Sequence, residues 1–147
     1  MKISMGCDHG GLQLKNAIKE HLLELGHEVV DFGTNSTDSC DYPDFAIPAA
    51  RAVASGECER GILVCTTGIG ISITANKVKG IRCALLSDTV SAALCRNHNN
   101  TNMMALGQGI VGEKLALQIV DTWLHAEFEG GRHQRRIDKM MAVEENQ

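Results

Sequence analysis

The stretch from residue 61 to residue 77, GILVCTTGIGISITANK, constrains the fold more than any other part of the chain. Its aliphatic start, Gly61 to Val64, breaks off abruptly at small polar residues, a pattern typical of a short parallel strand buried on both faces. Two glycines then open a helix that runs to Lys77. This order of strand, tight turn and helix predicts one βα unit of a parallel sheet.

The turn of this unit, Cys65 to Gly70, is where we expect chemistry. Glycines at 68 and 70 let the backbone bring N–H groups close to a ligand, and the helix start adds partial positive charge. These donors would stabilise an anion, and a Cys65 thiolate beside them could act as a base or a nucleophile. The ordinary alternative is that Cys65 is a small buried residue and the glycines only form a tight turn. This stretch alone leaves both readings open.

The rest of the chain repeats the alternation of apolar strand and amphipathic helix. Predicted strands cover residues 2–6, 27–32, 61–64, 81–86 and 103–106, and predicted helices cover 12–25, 42–55, 68–77, 89–96, 111–126 and 132–144. This alternation predicts a three-layer αβα Rossmann-like (flavodoxin-like) fold with a five-stranded parallel sheet. A length of 147 residues suits a single domain spanning 1–147.

Sheets of this kind bind ligands at the carboxyl ends of their strands. The turns expected there are Asp8-His9, Cys65 to Gly70, Ser87-Asp88 and Gly107 to Gly109. The loop at His98 precedes the fifth strand and therefore lies at the opposite edge. It could reach the site only by a long excursion or from a second subunit.

Histidines and arginines outside the Cys65 turn are further candidates. Asp8 and His9 suit proton transfer to a hydroxylated ligand, or they form a simple helix cap. His98, among asparagines, is either a general acid–base group or part of a hydrophilic loop. Arg132 and Arg136 lie four residues apart and could grip a phosphate, or they belong to a solvated helix face.

Composition argues against several partners. The net charge of −4 and the small number of aromatic residues disfavour binding to nucleic acid. No apolar run approaches the roughly 20 residues of a membrane span, and no signal-peptide pattern is present. We therefore expect a soluble, cytoplasmic protein.

The six cysteines form no C-x-x-C pair and are spread over the chain. With a full aliphatic core, free thiols are expected rather than disulfides. No histidine pairs with a cysteine at metal-ligand spacing, so we predict no metal.

Taken together, the motifs of the chain resemble those of the type B ribose-5-phosphate isomerases and the related galactose-6-phosphate isomerase subunits. The matching stretches span nearly the whole chain: GCDHGG at 6–11, DYPDFA at 41–46, GILVCTTGIGISITANK at 61–77, RNHNNTN at 96–102 and EGGRHQRRI at 129–137. The resemblance implies a cofactor-free aldose–ketose isomerase that acts on a sugar phosphate through an enediolate. It also implies a dimer, or dimer of dimers, in which the His98 loop and final helix of one subunit meet the Cys65 turn of the other.

The resemblance also implies roles for individual residues. Cys65 would be the base that moves the proton between C1 and C2. Thr67 and the 66–70 backbone, which includes Thr66, Gly68, Ile69 and Gly70, would hold the enediolate oxygen. Asp8, Tyr42 and His98 would handle ring opening and the hydroxyls, Asn99 would orient the open chain, and His9, Arg132 and Arg136 would bind phosphate.

One position departs from the family pattern. The chain has Gly109 where ribose-5-phosphate isomerases of this type usually carry a phosphate-binding arginine. Ribose 5-phosphate remains the leading substrate, and phosphates of four- to six-carbon sugars, such as erythrose 4-phosphate, allose 6-phosphate or galactose 6-phosphate, stay open. The other hypotheses are a non-catalytic sugar-phosphate-binding subunit and, less favoured for want of aromatic residues, a flavodoxin-like nucleotide carrier.

Overall fold

The predicted alternation of strands and helices runs through all residues 1–147, which the computed structural model describes in full. The strands are β1 (Lys2–Cys7), β2 (Glu28–Asp31), β3 (Arg60–Cys65), β4 (Cys83–Leu85) and β5 (Met103–Gly107). The helices are α1 (Leu12–Glu24), α2 (Pro43–Ala54), α3 (Ile69–Asn76), α4 (Thr89–Asn97), α5 (Glu113–His125) and α6 (Arg132–Glu145), and a short 3₁₀ turn at His9–Gly11 precedes α1. The predicted element order is confirmed, with boundaries shifted by a few residues.

The five strands form one parallel sheet in the order β2-β1-β3-β5-β4. The predicted parallel sheet is confirmed. Its strand order differs from that of flavodoxin, because here β5 lies between β3 and β4, whereas in flavodoxin β4 lies between β3 and β5. This order makes β3 the central strand. The carboxyl ends of β1 and β5 therefore lie on either side of Cys65.

Helices cover both faces of the sheet and enclose two apolar cores. Side chains of α1, α4 and α5 pack on one face with Ile62 and Val64 of β3. Side chains of α2 and α3 pack on the other with Leu63 and Cys65. The alternation along β3 is the two-residue period of a strand, and it directs Cys65 toward the α2 and α3 layer.

A buried ion pair lies behind the carboxyl edge of the sheet. The Lys15 side chain is fully buried and its Nζ donates to Asp31 Oδ2 at 2.6 Å. The other carboxylate oxygen of Asp31 accepts the Gly33 N–H at 2.8 Å. This pair fixes the start of the loop that leads from β2 to α2.

The last helix, α6, lies along the edge of the sheet that β4 forms. Its Glu144 carboxylate accepts the Gly80 N–H at 3.1 Å from each oxygen. A groove of about 490 Å³ separates the helix from β4. None of the six helices has the length and apolar character needed to cross a membrane.

Candidate active site

Backbone hydrogen bonds tie the turn after β5 to the turn after β3. Gln108 donates its N–H to the Cys65 carbonyl at 2.9 Å, and Gly109 donates to the Thr66 carbonyl at the same distance. The Gln108 side-chain oxygen accepts the Leu14 N–H at 2.8 Å, which joins both turns to the first turn of α1. The edge around Cys65 is therefore held by two main-chain bonds from the turn after β5, and the Gln108 side chain connects that turn to α1.

Cys65 lies at the end of the central strand, and the residue is only 5% exposed. Its sulfur accepts the Gly68 N–H at 3.1 Å. Gly68 can aim its N–H in this way because it has a φ of 78°, in the left-handed region that favours glycine. The sulfur therefore faces a backbone donor at the edge of the sheet where such folds bind ligands.

The residues that follow Cys65 offer polar groups to solvent. Thr66 and Thr67 are exposed, and Thr67 Oγ1 accepts the Ile69 N–H at 3.2 Å. A cleft of about 210 Å³ lies beside Thr67, lined also by Ile69, Leu85, Leu86, Ser87, Gly107 and Ile110. The Tyr42 ring packs against Gly70 so closely that a Cβ on Gly70 would lie 2.6 Å from Tyr42 Cζ.

Asp8 and His9 follow β1 at the same edge. Asp8 is 7% exposed and accepts the Gly10 N–H at 2.9 Å, so it caps the 3₁₀ turn. His9 Nδ1 accepts the Cys40 N–H at 3.2 Å, with the Cys40 sulfur 3.7 Å away. Because Nδ1 is an acceptor, the proton of a neutral His9 is on Nε2, which is then free to donate to a ligand.

Burial disfavours the thiolate form at four other cysteines. All six cysteines are free. Burial raises the pKa of the Cys7 thiol to about 11, and burial likewise raises the pKa of Cys58, Cys83 and Cys95. In each of these four thiols, burial makes the thiolate less accessible than in an ordinary cysteine.

The remaining predicted residues gather at the opposite edge. His98 ends α4, Asn99 follows it, and Arg132 and Arg136 lie in the first turns of α6. Neither arginine takes part in any of the five ion pairs of the chain. Both are exposed, so their guanidinium groups can bind an anion.

His133 and Glu129 join this second group, and no role was predicted for either. The His133 ring stacks on His98 with centroids 4.3 Å apart and planes 10° from parallel. Partial burial and the neighbouring His98 lower the pKa of His133. The four-residue spacing of Glu129 and His133 is visible in the sequence, but only the fold brings His98 to them.

The structure thus assembles two separate groups of residues. The carboxyl-edge cluster comprises Asp8, His9, Tyr42 and Cys65 to Gly70, and the amino-edge cluster comprises His98, Asn99, Glu129, Arg132, His133 and Arg136. Cys65 pairs in the sheet with Gly107, whereas the amino-edge loop enters β5 at Met103. The length of β5, roughly 13 Å at 3.3 Å per residue, lies between them. A single chain therefore keeps the two clusters apart. The sequence predicts this separation for His98, because its loop precedes the fifth strand.

The largest groove of the chain lies away from the thiol. It runs between α6 and β4 and is lined by Arg82, Asn99 and Met140 among others, but by no member of the carboxyl-edge cluster. The smaller cleft beside Thr67 is the better candidate for substrate, since it adjoins the Cys65 turn.

Fold and site together define an α/β protein with a ligand-binding edge built around a thiol. The chain belongs to the Ribose/Galactose Isomerase family, whose model matches residues 3–140. This confirms the predicted family and the predicted isomerase class. The chain is 53% identical over 144 residues to ribose-5-phosphate isomerase B of Escherichia coli, covering 98% of this chain and 97% of that protein.

Two solved structures are similar over nearly their whole length. Ribose-5-phosphate isomerase B of Clostridium thermocellum is 54% identical, with a TM-score of 0.98 and 99% of each chain covered. Ribose-5-phosphate isomerase B of Mycoplasma genitalium, solved with bound ribulose-5-phosphate, is 45% identical, with a TM-score of 0.96 and coverage of 99% of this chain and 97% of that one.

Proposed function

We propose that this protein interconverts ribose 5-phosphate and ribulose 5-phosphate without a cofactor, through a cis-enediolate, with Cys65 as the base. The observation that carries the proposal is the Cys65 sulfur, which ends the central strand and accepts a backbone N–H from Gly68. Family membership and the similarity to a ribulose-5-phosphate-bound structure support it. The whole chain, 1–147, is one isomerase domain in this proposal.

The chemistry requires a base that can reach both C1 and C2, and donors that stabilise the negative charge on the oxygens of these carbons. The Cys65 thiolate removes the proton from C2 of the open-chain aldose, and the electron pair moves to the C1 oxygen. A proton passes between the two oxygens of the enediolate, and the thiol returns its proton to C1. Thr67 and the amides of residues 66–70 stabilise the enediolate oxygen, and one such donor is commonly worth about 3 kcal/mol.

The other predicted residues bind and open the sugar. His9, Arg132 and Arg136 bind the phosphate, far from the reacting carbons, and so orient the substrate. Asp8, Tyr42 and His98 handle ring opening and the hydroxyls, and Asn99 orients the open chain.

These roles require two copies of the chain. The clusters lie at opposite edges of one sheet, so the amino-edge cluster of a second copy must complete the site at Cys65. We therefore propose a homodimer or a dimer of dimers, with α6 packed on the partner subunit. We also place this enzyme in the cytoplasm, where its free thiols persist.

Gly109 favours a second candidate substrate class. It offers no cation at the turn after β5, and a Cβ at this position would lie 3.1 Å from the Thr66 carbonyl oxygen and 3.3 Å from Thr66 Cγ2. A phosphate held without a cation at residue 109 could belong to another four- to six-carbon sugar. A non-catalytic binding subunit is less favoured, since Cys65 ends the central strand and Thr67 lines the adjoining cleft.

The decisive experiment measures exchange of the substrate C2 proton with solvent deuterium, across a panel of four- to six-carbon aldose and ketose phosphates. We expect the highest kcat/KM with ribose 5-phosphate and loss of exchange in Cys65→Ala. Cys58→Ala, which removes another buried thiol, should keep full exchange. Undiminished exchange in Cys65→Ala would remove Cys65 from the role of base. Turnover of another sugar phosphate, with none of ribose 5-phosphate, would change the proposed substrate and leave the proposed chemistry intact.

A further inference from the structure

Three potential metal ligands face one another within the amino-edge cluster. The ligand atoms of His98, Glu129 and His133 all lie within 4.8 Å of one another. Glu129 Oε1 is 3.6 Å from His133 Nε2 and 4.0 Å from His98 Nε2. These distances exceed those of hydrogen bonds, and neither imidazole has another hydrogen-bond partner in the chain.

Backbone contacts hold the three residues together independently of their side chains. His98 ends α4, and His133 lies in the first turn of α6. Between them, Glu129 donates its N–H to the Asn97 carbonyl at 3.0 Å, and Asn97 Nδ2 donates to the Glu127 carbonyl at 2.7 Å. The segment that carries Glu129 is therefore fixed to the end of α4.

Two imidazoles and one carboxylate are the ligand set of many open zinc sites. In tetrahedral coordination at 2.0–2.2 Å, ligand atoms lie roughly 3.3 Å apart, so the observed separations of up to 4.8 Å must shorten by as much as about 1.5 Å. The stacked rings must also turn so that their nitrogens converge. The side chains of His98 and Glu129 are 40% and 57% exposed, which leaves both free to make this adjustment.

We propose that His98, Glu129 and His133 bind a divalent transition metal of the Zn²⁺ class, with water in the fourth position, and that this binding inhibits the enzyme. Sequence analysis overlooked the site because it sought histidine–cysteine pairs, whereas the third ligand is a carboxylate. The claim of inhibition rests on the proposed function, because a metal bound to the His98 imidazole would prevent His98 from playing its proposed role in the reaction. The positive charges of Arg132 and Arg136 weaken the binding of a metal cation nearby. The metal therefore binds reversibly and does not fill the site permanently.

The metal-binding half is tested without measuring activity. Co²⁺ is titrated into the full-length, chelator-treated protein, and the visible absorption typical of tetrahedral Co²⁺ is recorded. We expect one such ion per chain in the wild type, and at least about a tenfold loss of affinity in Glu129→Gln. Glu127→Gln, two residues away on the same segment, is the matched control and should bind like the wild type. An absorption unchanged by Glu129→Gln, or absent altogether, overturns the site.

The inhibitory half is tested with Zn²⁺ in the isomerase assay. With inhibition expressed relative to each protein's own metal-free activity, Glu129→Gln should raise the Zn²⁺ concentration for half-inhibition at least about tenfold above that of the wild type. Equal inhibition of both proteins would place the inhibitory metal elsewhere, for example on the Cys65 thiolate, and overturn this half. Co²⁺ bound at Glu129 with no inhibition would likewise overturn it, and would argue against the proposed role of His98 while leaving Cys65 as base intact.

Discussion

The carboxyl-edge cluster and the amino-edge cluster differ in what holds them together. Cys65 and Asp8 are buried, each accepts a backbone N–H, and the turns around Cys65 are tied by further main-chain bonds. Arg132 and Arg136 are exposed and unpaired. The first cluster is fixed by the fold of one chain. In the second cluster, the two guanidinium groups are exposed and free to bind an anion.

This difference suggests a division of labour. Proton transfer needs a base placed accurately among fixed donors, and buried backbone contacts provide that accuracy. Phosphate binding tolerates mobile side chains, because charge attraction acts over a longer range. Changes at the first cluster should therefore disturb both chemistry and stability, and changes at the two arginines of the second should disturb binding alone.

Subunit mixing is the strongest test of the separation. Cys65→Ala and His98→Ala should each lose about 10²–10⁴-fold in kcat, since each removes a proton-transfer group. When the two inactive variants are unfolded and refolded together, half of the dimers should combine them and carry one intact site. Activity should then return to about a quarter of the wild-type value per chain. Activity that stays at the level of either variant alone would show that each chain builds its own site.

Removal of the buried carboxylate behind the carboxyl-edge cluster should have the next largest effect. Asp31→Asn leaves the buried Lys15 ammonium without its partner, which should cost about 3–5 kcal/mol in the free energy of unfolding. Urea denaturation measures the loss. Asp121→Asn, which breaks a more exposed contact with His21, is the control and should cost at most about 1 kcal/mol.

Acid offers a second readout of the same pair. Burial opposes ionisation of Asp31, but hydrogen bonds from Lys15 and Gly33 outweigh it and lower the pKa of Asp31 below its ordinary value of 3.8. The ion pair therefore stabilises the fold fully above that value, and the stabilisation is lost as the pH falls toward the lowered pKa. Stability of the wild type should drop on acidification below about pH 4, and that of Asp31→Asn should drop less. Parallel pH profiles would contradict this assignment.

The arginines of the amino-edge cluster should respond in binding and not in stability. Arg136→Gln should raise the KM for the sugar phosphate about 10- to 100-fold, because it removes a charged hydrogen bond to phosphate worth roughly 1.5–3 kcal/mol. Its free energy of unfolding should change by no more than about 0.5 kcal/mol. Arg135→Gln, the exposed neighbour, is the control and should leave KM unchanged. A large loss of stability in Arg136→Gln would show that α6 needs this residue for folding.

The smallest expected effect tests the geometry of the donor at Cys65. Gly68→Ala places a Cβ 2.6 Å from Leu85 Cδ1 and 2.9 Å from the Leu106 carbonyl carbon, at a φ of 78°. We expect a loss of about 1–3 kcal/mol in stability, together with reduced kcat. Gly56→Ala has a similar φ of 85° and no atom within 4 Å of its Cβ, so it measures the backbone strain alone. Equal losses in the two variants would mean that the contacts of Gly68 are not tight.

Local patterns were sufficient to predict the elements of the fold. Apolar runs such as Gly61 to Val64 predict strands because a parallel sheet buries both faces, and Gly26 and Gly130 mark where the chain must turn. Strand order was not predictable, since alternating strands and helices fit several arrangements of β4 and β5. The position of His98 at the far edge followed from parallel topology alone.

Contacts between distant segments account for what the sequence did not reveal. The Cys40 N–H that sets the His9 tautomer comes from a loop 31 residues away, and no local pattern links the two. The stacking of His133 on His98 likewise depends on how α6 is placed against α4. Both contacts shape the site, and both needed three-dimensional coordinates to be found.

The internal position of β5 has a consequence for synthesis of the protein. Within the sheet, β4 hydrogen-bonds only to β5, which is made after it. On the ribosome, residues 83–85 therefore have no strand to join until residues 103–107 have emerged. The next two amides, of Gln108 and Gly109, also close the turn at Cys65. A nascent chain released before this point carries the thiol but not the scaffold that orders it, so an incomplete translation product should be inactive.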